Sequence, residues 1–181
     1  MKWIRLRSSD EKYFNQAWAI YEQSFPVFEQ RLLRDQQAAM KDEEFYFIAI
    51  VEEERVIAIV GYWIYPQFIY IEHLACNPEV RGLGIGTKLV QQVIAEDENR
   101  VVILEVEPPV DELTKRRVRF YEKLGFKLNP HYHFQPSLNE GMDGLELKIM
   151  SSNTELSEEA QIKFRRVLNE KVYGVDKDLY I

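Results

Sequence analysis

Only one cysteine, Cys76, occurs in the 181 residues. No internal disulfide framework can form, and the chain suits a reducing compartment. Long apolar runs are missing too. Nothing approaches ~18 consecutive apolar residues, so no membrane span is expected. The opening Met1-Lys2-Trp3-Ile4-Arg5 has no apolar stretch of the kind a signal peptide carries, which points to the cytoplasm. Positive charge is in deficit: 23 Lys and Arg against 30 Asp and Glu leave a net charge of −7. That balance argues against nucleic-acid binding, which needs a basic face, and leans weakly toward a cationic or amine partner. Internal repeats and low-complexity linkers are absent as well.

What is present describes a globular chain. Hydrophobic residues make up 46%, enough for one full core. Ile4 to Leu6 reads as a first strand. A helix from about Glu11 to Ser24, capped by Ser9 or Asp10, aligns Phe14, Ala17, Trp18 and Tyr21. Val27 to Lys41 reads as a second helix, polar outside, with Arg31 and Arg34 on it. Phe45 to Glu52 and Val56 to Tyr65 form an antiparallel hairpin around Glu53-Glu54-Arg55. Phe68 to Cys76 and the β-branched run Val101 to Val106 are strands, the second apolar enough to be covered on both faces. Thr87 to Asp97 and Lys115 to Phe126 are helices, the latter closed by Gly125. Leu145 to Met150 is a late strand. Ser157 caps a last helix to about Tyr173.

The chemistry concentrates at Arg81-Gly82-Leu83-Gly84-Ile85-Gly86, where a strand gives way to a helix. Alternate glycines leave backbone N–H groups uncovered, and the helix aims its positive dipole end at the same place. Such a turn is a phosphate or pyrophosphate site. The spacing fails the dinucleotide fingerprint, because the third glycine comes one residue early. It also fails the P-loop, because Thr87-Lys88 has the wrong order. What remains is Arg-x-x-Gly-x-Gly.

That motif resembles the acetyl-CoA-binding signature of the GCN5-related N-acetyltransferases. The order strand, glycine turn, helix, strand, helix, ending in Phe120-Tyr121-Glu122-Lys123-Leu124-Gly125-Phe126, resembles the same family over roughly residues 45–150. The resemblance implies an α/β (α+β) fold with a central mixed, mostly antiparallel sheet. This sheet splays between two parallel strands, here about 68–76 and 101–107. It implies two units: an acetyltransferase domain over 1–150, and a helical extension over 151–181 that packs on the domain or on a second subunit of a homodimer. It implies acetyl-CoA as co-substrate, no metal, and a small-molecule or peptide amine as acceptor, with a small cationic amine favoured. A non-catalytic acyl-CoA-binding module on the same fold is the alternative, and it would need neither base nor acid.

Site residues follow from the resemblance. Backbone groups of Leu74, Ala75 and Cys76 and the turn Arg81, Gly82, Leu83, Gly84, Ile85, Gly86 and Thr87 would hold the cofactor. Thr114 and Arg117 would add contacts, although Thr114 stands where many members carry Asn. Glu72 would take the proton of the amine, and Tyr121 would return one to the departing thiolate. Alternation along the strand places Glu72 with Leu74 and Cys76 and opposite His73, unless a bulge before Pro78 intervenes. Glu105 and Glu107 share one face of the next strand and, with His131 and Tyr132, are candidates to bind the acceptor. His131 and His133 have the spacing of metal ligands, but no Cys/His cluster completes a site.

Overall fold

The structure is a computed structural model that describes all residues, 1–181. In chain order the elements are β1 (Lys2–Leu6), α1 (Phe14–Ser24), α2 (Leu33–Met40), β2 (Phe45–Glu52), β3 (Arg55–Ile64) and β4 (Phe68–Cys76). There follow α3 (Ile85–Ile94), β5 (Val101–Val106), α4 (Glu112–Glu122), β6 (Phe126–Leu128), β7 (His133–Gln135), β8 (Leu145–Ser152) and α5 (Glu158–Leu168). The strands form one sheet in the order β1-β2-β3-β4-β5-β8-β6, with β7 also paired to β8. All neighbours are antiparallel except β4 and β5.

Two apolar layers cover the sheet, because its central strands are apolar on both faces. One contains Phe14, Tyr21, Phe47, Phe68, Tyr70 and Leu168, beneath α1 and α5. The other contains Ile69, Ile71, Leu89, Val93, Leu104 and Val118, beneath α3 and α4. No helix is long and apolar enough to cross a membrane.

Parallel pairing between β4 and β5 runs only from Phe68↔Val101 to Ile71↔Leu104. β4 then continues to Cys76 with β3 alone beside it. At the point of separation the β3/β4 register jumps from Tyr62↔Ile71 to Gly61↔His73, so Glu72 is an extra residue, a β-bulge.

Several sequence expectations need correction. The helix expected over Val27 to Lys41 is broken. A single 3-10 turn spans Val27–Glu29, extended backbone follows at Gln30 and Leu32, and α2 begins only at Leu33. The break turns Arg31 inward, where it is 6% exposed rather than on a polar helix face. α1 starts at Phe14 after Tyr13, without a side-chain cap from Ser9 or Asp10. The proposed division at residue 150 falls inside β8. The segment after it packs on its own domain: Phe164 lies 4.5 Å from Phe68, and Leu168 and Val172 belong to the α1-side core. Ser157 caps α5 by accepting the Ala160 N–H, as expected.

Candidate active site

A cleft of about 760 Å³ opens where β4 and β5 part. It passes from one sheet face to the other. On the α3/α4 face it is lined by Leu74, Cys76, Arg81, Arg117, Phe120 and Tyr121. On the α1 face it is lined by Phe25, Phe28, Glu29, Glu72, His73 and Gln135, with Leu145 and Leu147 of β8 also on its wall.

The bulge decides what each face receives. His73 packs its ring on Tyr21 and Phe25, at centroid distances of 4.8 and 4.6 Å, in the α1-side layer. Glu72 meets Arg31 on that same side. Leu74 and Cys76 pack on the opposite layer. The expected alternation, with Glu72 beside Leu74 and Cys76 and away from His73, is therefore reversed. Asn77 donates its N–H to Ile57 O at 2.8 Å. Alternation in an antiparallel strand then turns the N–H groups of Leu74 and Cys76 away from β3 and into the gap.

The glycine turn has the geometry that a phosphate needs. Gly82 and Gly84 hold φ values of 81° and 76°, a left-handed conformation that costs side-chain-bearing residues energy. Nothing lies within 4 Å of a Cβ placed at either. Gly84 is the N-cap of α3, and no side chain caps that end. The first N–H groups of α3, from Ile85 to Thr87, are therefore not satisfied by a capping side chain. At Gly86 a Cβ would lie 3.5 Å from Phe120, an ordinary van der Waals contact, so packing against α4 alone does not require glycine there. Leu83 projects outward, 67% exposed. Arg81 reaches Cys76 O through Nε at 3.4 Å. Arg117 lines the cleft but pairs with Glu107 at 2.6 Å. These residues fit a pyrophosphate and an extended thiol arm.

Thr114 is not among the residues that line this cleft. It is buried, and its hydroxyl and N–H are spent on Asp111 in a reciprocal cap at the start of α4. In this structure its side chain serves as a helix cap.

Glu72 is fixed rather than free. Arg31 Nη1 and Nη2 donate to its two oxygens at 2.7 and 2.5 Å, and Trp63 Nε1 donates at 3.3 Å. Both charged side chains are nearly inaccessible, at 5% for Arg31 and 1% for Glu72. Burial alone would raise the Glu72 pKa. The Arg31 charge overrides it, with His73 helping, and holds the carboxyl at about 2. A carboxylate so tightly held is a poor acceptor for an ammonium proton.

Glu105 is similarly enclosed. It accepts from Tyr173 Oη at 2.8 Å, from Tyr70 Oη, and pairs with His133 Nε2 at 2.8 Å. Burial raises its pKa, and the His133 charge and these hydrogen bonds outweigh it, so the carboxyl stays ionised more readily than usual. Glu107 lines the cleft with Arg117 as partner. Glu29, which the sequence did not single out, lines the cleft half-buried with no hydrogen bond or ion pair to its carboxylate. Burial pushes its pKa up. Its backbone carbonyl is held by His73 Nε2 at 3.0 Å. Tyr121 Oη, also in the cleft, makes no hydrogen bond, and burial raises its pKa to about 12.

His131 and Tyr132, expected at the acceptor pocket, do not line this cleft. His131 Nε2 bonds Leu156 O at 2.9 Å, and Tyr132 is 52% exposed beneath Arg165 of α5. Their neighbour Gln135 lines the cleft instead. The His-x-His pair is split between Leu156 and Glu105, so the two rings do not converge.

The sequence model described as "Acetyltransferase (GNAT) family" matches residues 8–126. The chain belongs to this family. A solved structure titled "Putative acetyltransferase from GNAT family from Bacteroides thetaiotaomicron" is 30% identical, with a TM-score of 0.88, and the match covers 97% of this chain and 100% of that one. "Putative acetyltransferase YjbC" of Bacillus subtilis (strain 168) is 28% identical over 140 residues, 75% of this chain and 70% of the relative. A GNAT acetyltransferase from Elizabethkingia anophelis, solved with acetyl-CoA bound, shares the fold at 11% identity and a TM-score of 0.56, over 84% of this chain and 97% of that one. A mixed sheet opened between one parallel pair is thus the GNAT architecture.

Proposed function

We propose that this GNAT protein transfers an acetyl group from acetyl-CoA to a primary amine by direct attack in a ternary complex. The observation that carries the proposal is a pair of features on one cleft. The uncapped, glycine-built start of α3 stands at its mouth, and the unpartnered Tyr121 hydroxyl stands in its wall. The family's acetyl-CoA complex from Elizabethkingia anophelis supports the choice of donor.

In this reading the N–H groups of the 81–87 turn receive the pyrophosphate, and the pantetheine arm runs along the free edge of β4. The Leu74 and Cys76 N–H groups face the thioester carbonyl and stabilise the oxyanion as the nitrogen adds. The amine first gives its proton to Glu29, whose raised pKa makes it a better base than a free glutamate. The C–S bond then breaks, the thiolate takes the proton of Tyr121, a phenol that is protonated at neutral pH, and the acetylated nitrogen gives up its remaining extra proton, which restores the phenol as the amide leaves. Glu72, Arg31 and Trp63 act as the rigid floor that holds the strap between α1 and α2, and with it Glu29, over the cleft.

Titration of acetyl-CoA by calorimetry into the wild type and a Gly84→Glu variant tests the cofactor half. Binding is expected in the first and is lost in the second, because the variant places a carboxylate where the phosphates sit on a left-handed backbone. A folded wild type that binds no acetyl-CoA overturns the proposal. A protein that binds acetyl-CoA yet releases no CoA with any amine is the binding module instead.

A further inference from the structure

Four carboxylates line the cleft: Glu29, Glu72, Glu105 and Glu107. Three are already compensated, by Arg31, by His133 with two tyrosine hydroxyls, and by Arg117. Only the Glu29 carboxylate has no hydrogen bond or ion pair, although His73 and Arg117 act on it through space. Its surroundings on the α1 face are apolar: the half-buried rings of Phe25 and Phe28, and the β8 side chains Leu145 and Leu147. The amide of Gln135 donates to Tyr173 Oη at 3.1 Å, and its oxygen is a neutral acceptor without charge to offer a second ammonium group.

We infer that the acceptor is a monoamine on an apolar, aryl-alkyl body, with its single ammonium group on Glu29 and its ring against Phe25 and Phe28. The inference rests on the transferase reading above and narrows its acceptor class. A charge taken out of water needs a partner within the site. One free carboxylate serves one ammonium group. A polyamine or an aminoglycoside would bring further ammonium groups to walls that offer them aromatic and aliphatic carbon. An aryl body, by contrast, gains area burial and ring-to-ring contact there. The net charge of −7 gives the whole chain a general attraction for cations, but it does not supply a second counter-charge inside the cleft. The small cationic amine favoured by composition is thereby refined to one with a single charge.

The test uses the full chain saturated with CoA, so that nothing turns over. Phenethylamine, tryptamine, spermidine and kanamycin are titrated by calorimetry, with phenethyl alcohol as an uncharged analogue. The two aryl-alkylamines are expected to bind at least about tenfold tighter than spermidine and kanamycin. Glu29→Gln should weaken phenethylamine by about tenfold and leave phenethyl alcohol unchanged, with circular dichroism matching the wild type. Spermidine or kanamycin binding as tightly, no binding of either aryl-alkylamine, or an unaltered Kd in Glu29→Gln overturns the inference. CoA release from acetyl-CoA, measured in parallel, separates the two claims. Selective aryl-alkylamine binding without CoA release sinks the transferase reading and keeps the acceptor class. CoA release driven by spermidine but not by aryl-alkylamines does the reverse.

Discussion

Replacing Glu72 with Gln is expected to change the acid stability of the protein more than its chemistry. The folded pKa of Glu72 is depressed from 4.5 to about 2. At 1.36 kcal/mol per pH unit, that difference corresponds to about 3 kcal/mol of stability. Because the folded value is the lower one, the contribution is complete above the unfolded pKa of 4.5 and is lost as pH falls toward 2. By pH ~3, roughly 2 kcal/mol of it has gone. In Glu72→Gln the buried Arg31 loses its counter-charge, a penalty of about 3–5 kcal/mol at neutral pH. The gap between wild type and variant should therefore narrow by about 2 kcal/mol between pH ~7 and pH ~3. Arg31→Met tests the same pair from the other side. Burial then acts on Glu72 with only His73 and Trp63 left to oppose it and its pKa rises from about 2, so this variant should gain stability relative to wild type on acidification. Urea unfolding followed by circular dichroism across that pH range gives both numbers, provided the transition stays two-state. A gap that is the same at both ends of the range would refute the ion-pair argument. In molecules that remain folded, kcat for Glu72→Gln should fall far less than for Glu29→Gln.

Tyr121→Phe should lower kcat by about 100-fold, the low end for loss of a general acid, with acetyl-CoA affinity and unfolding midpoint nearly intact. Full activity would leave Tyr121 as packing between Phe120 and Phe126. Thr114→Val should cost about 1 kcal/mol in urea unfolding, because it removes the reciprocal cap with Asp111, and should leave acetyl-CoA affinity unchanged. A large loss of affinity would return Thr114 to the cofactor site.

Much of this architecture was legible because its signals are local. The glycine spacing, the apolar runs of β4 and β5, and the Ser157 cap each lie within a few residues of sequence. Arg31 and Glu72 are 41 residues apart, and neither carries a mark that the other will bury it. A basic residue among polar neighbours reads as helix surface, so α2 was drawn too long. His131 and Tyr132 were misplaced because the loop after α4 has no period. Its faces are set by α5 through Arg165 and by the segment before α5 through Leu156. Glu29 was missed because a lone glutamate in a short 3-10 turn differs in no way from a solvated one. Burial in the folded cleft, with Glu107 and Glu105 adding to it against His73 and Arg117, is what raises its pKa.

The extra residue in β4 is a matter of counting. Up to Ile71 the even-numbered side chains serve the α1 layer, and from His73 onward the odd-numbered ones do. Deleting one residue at position 72 would restore unbroken parity and leave every apolar side chain of β4 a place in one layer or the other. Yet the bulge sits where pairing with β5 ends, and the shortened strand would reach that point without it. A single-residue deletion there is thus a frame error in the geometric sense. Which face of the cleft His73, Leu74 and Cys76 serve is set by the odd count of nine residues in β4.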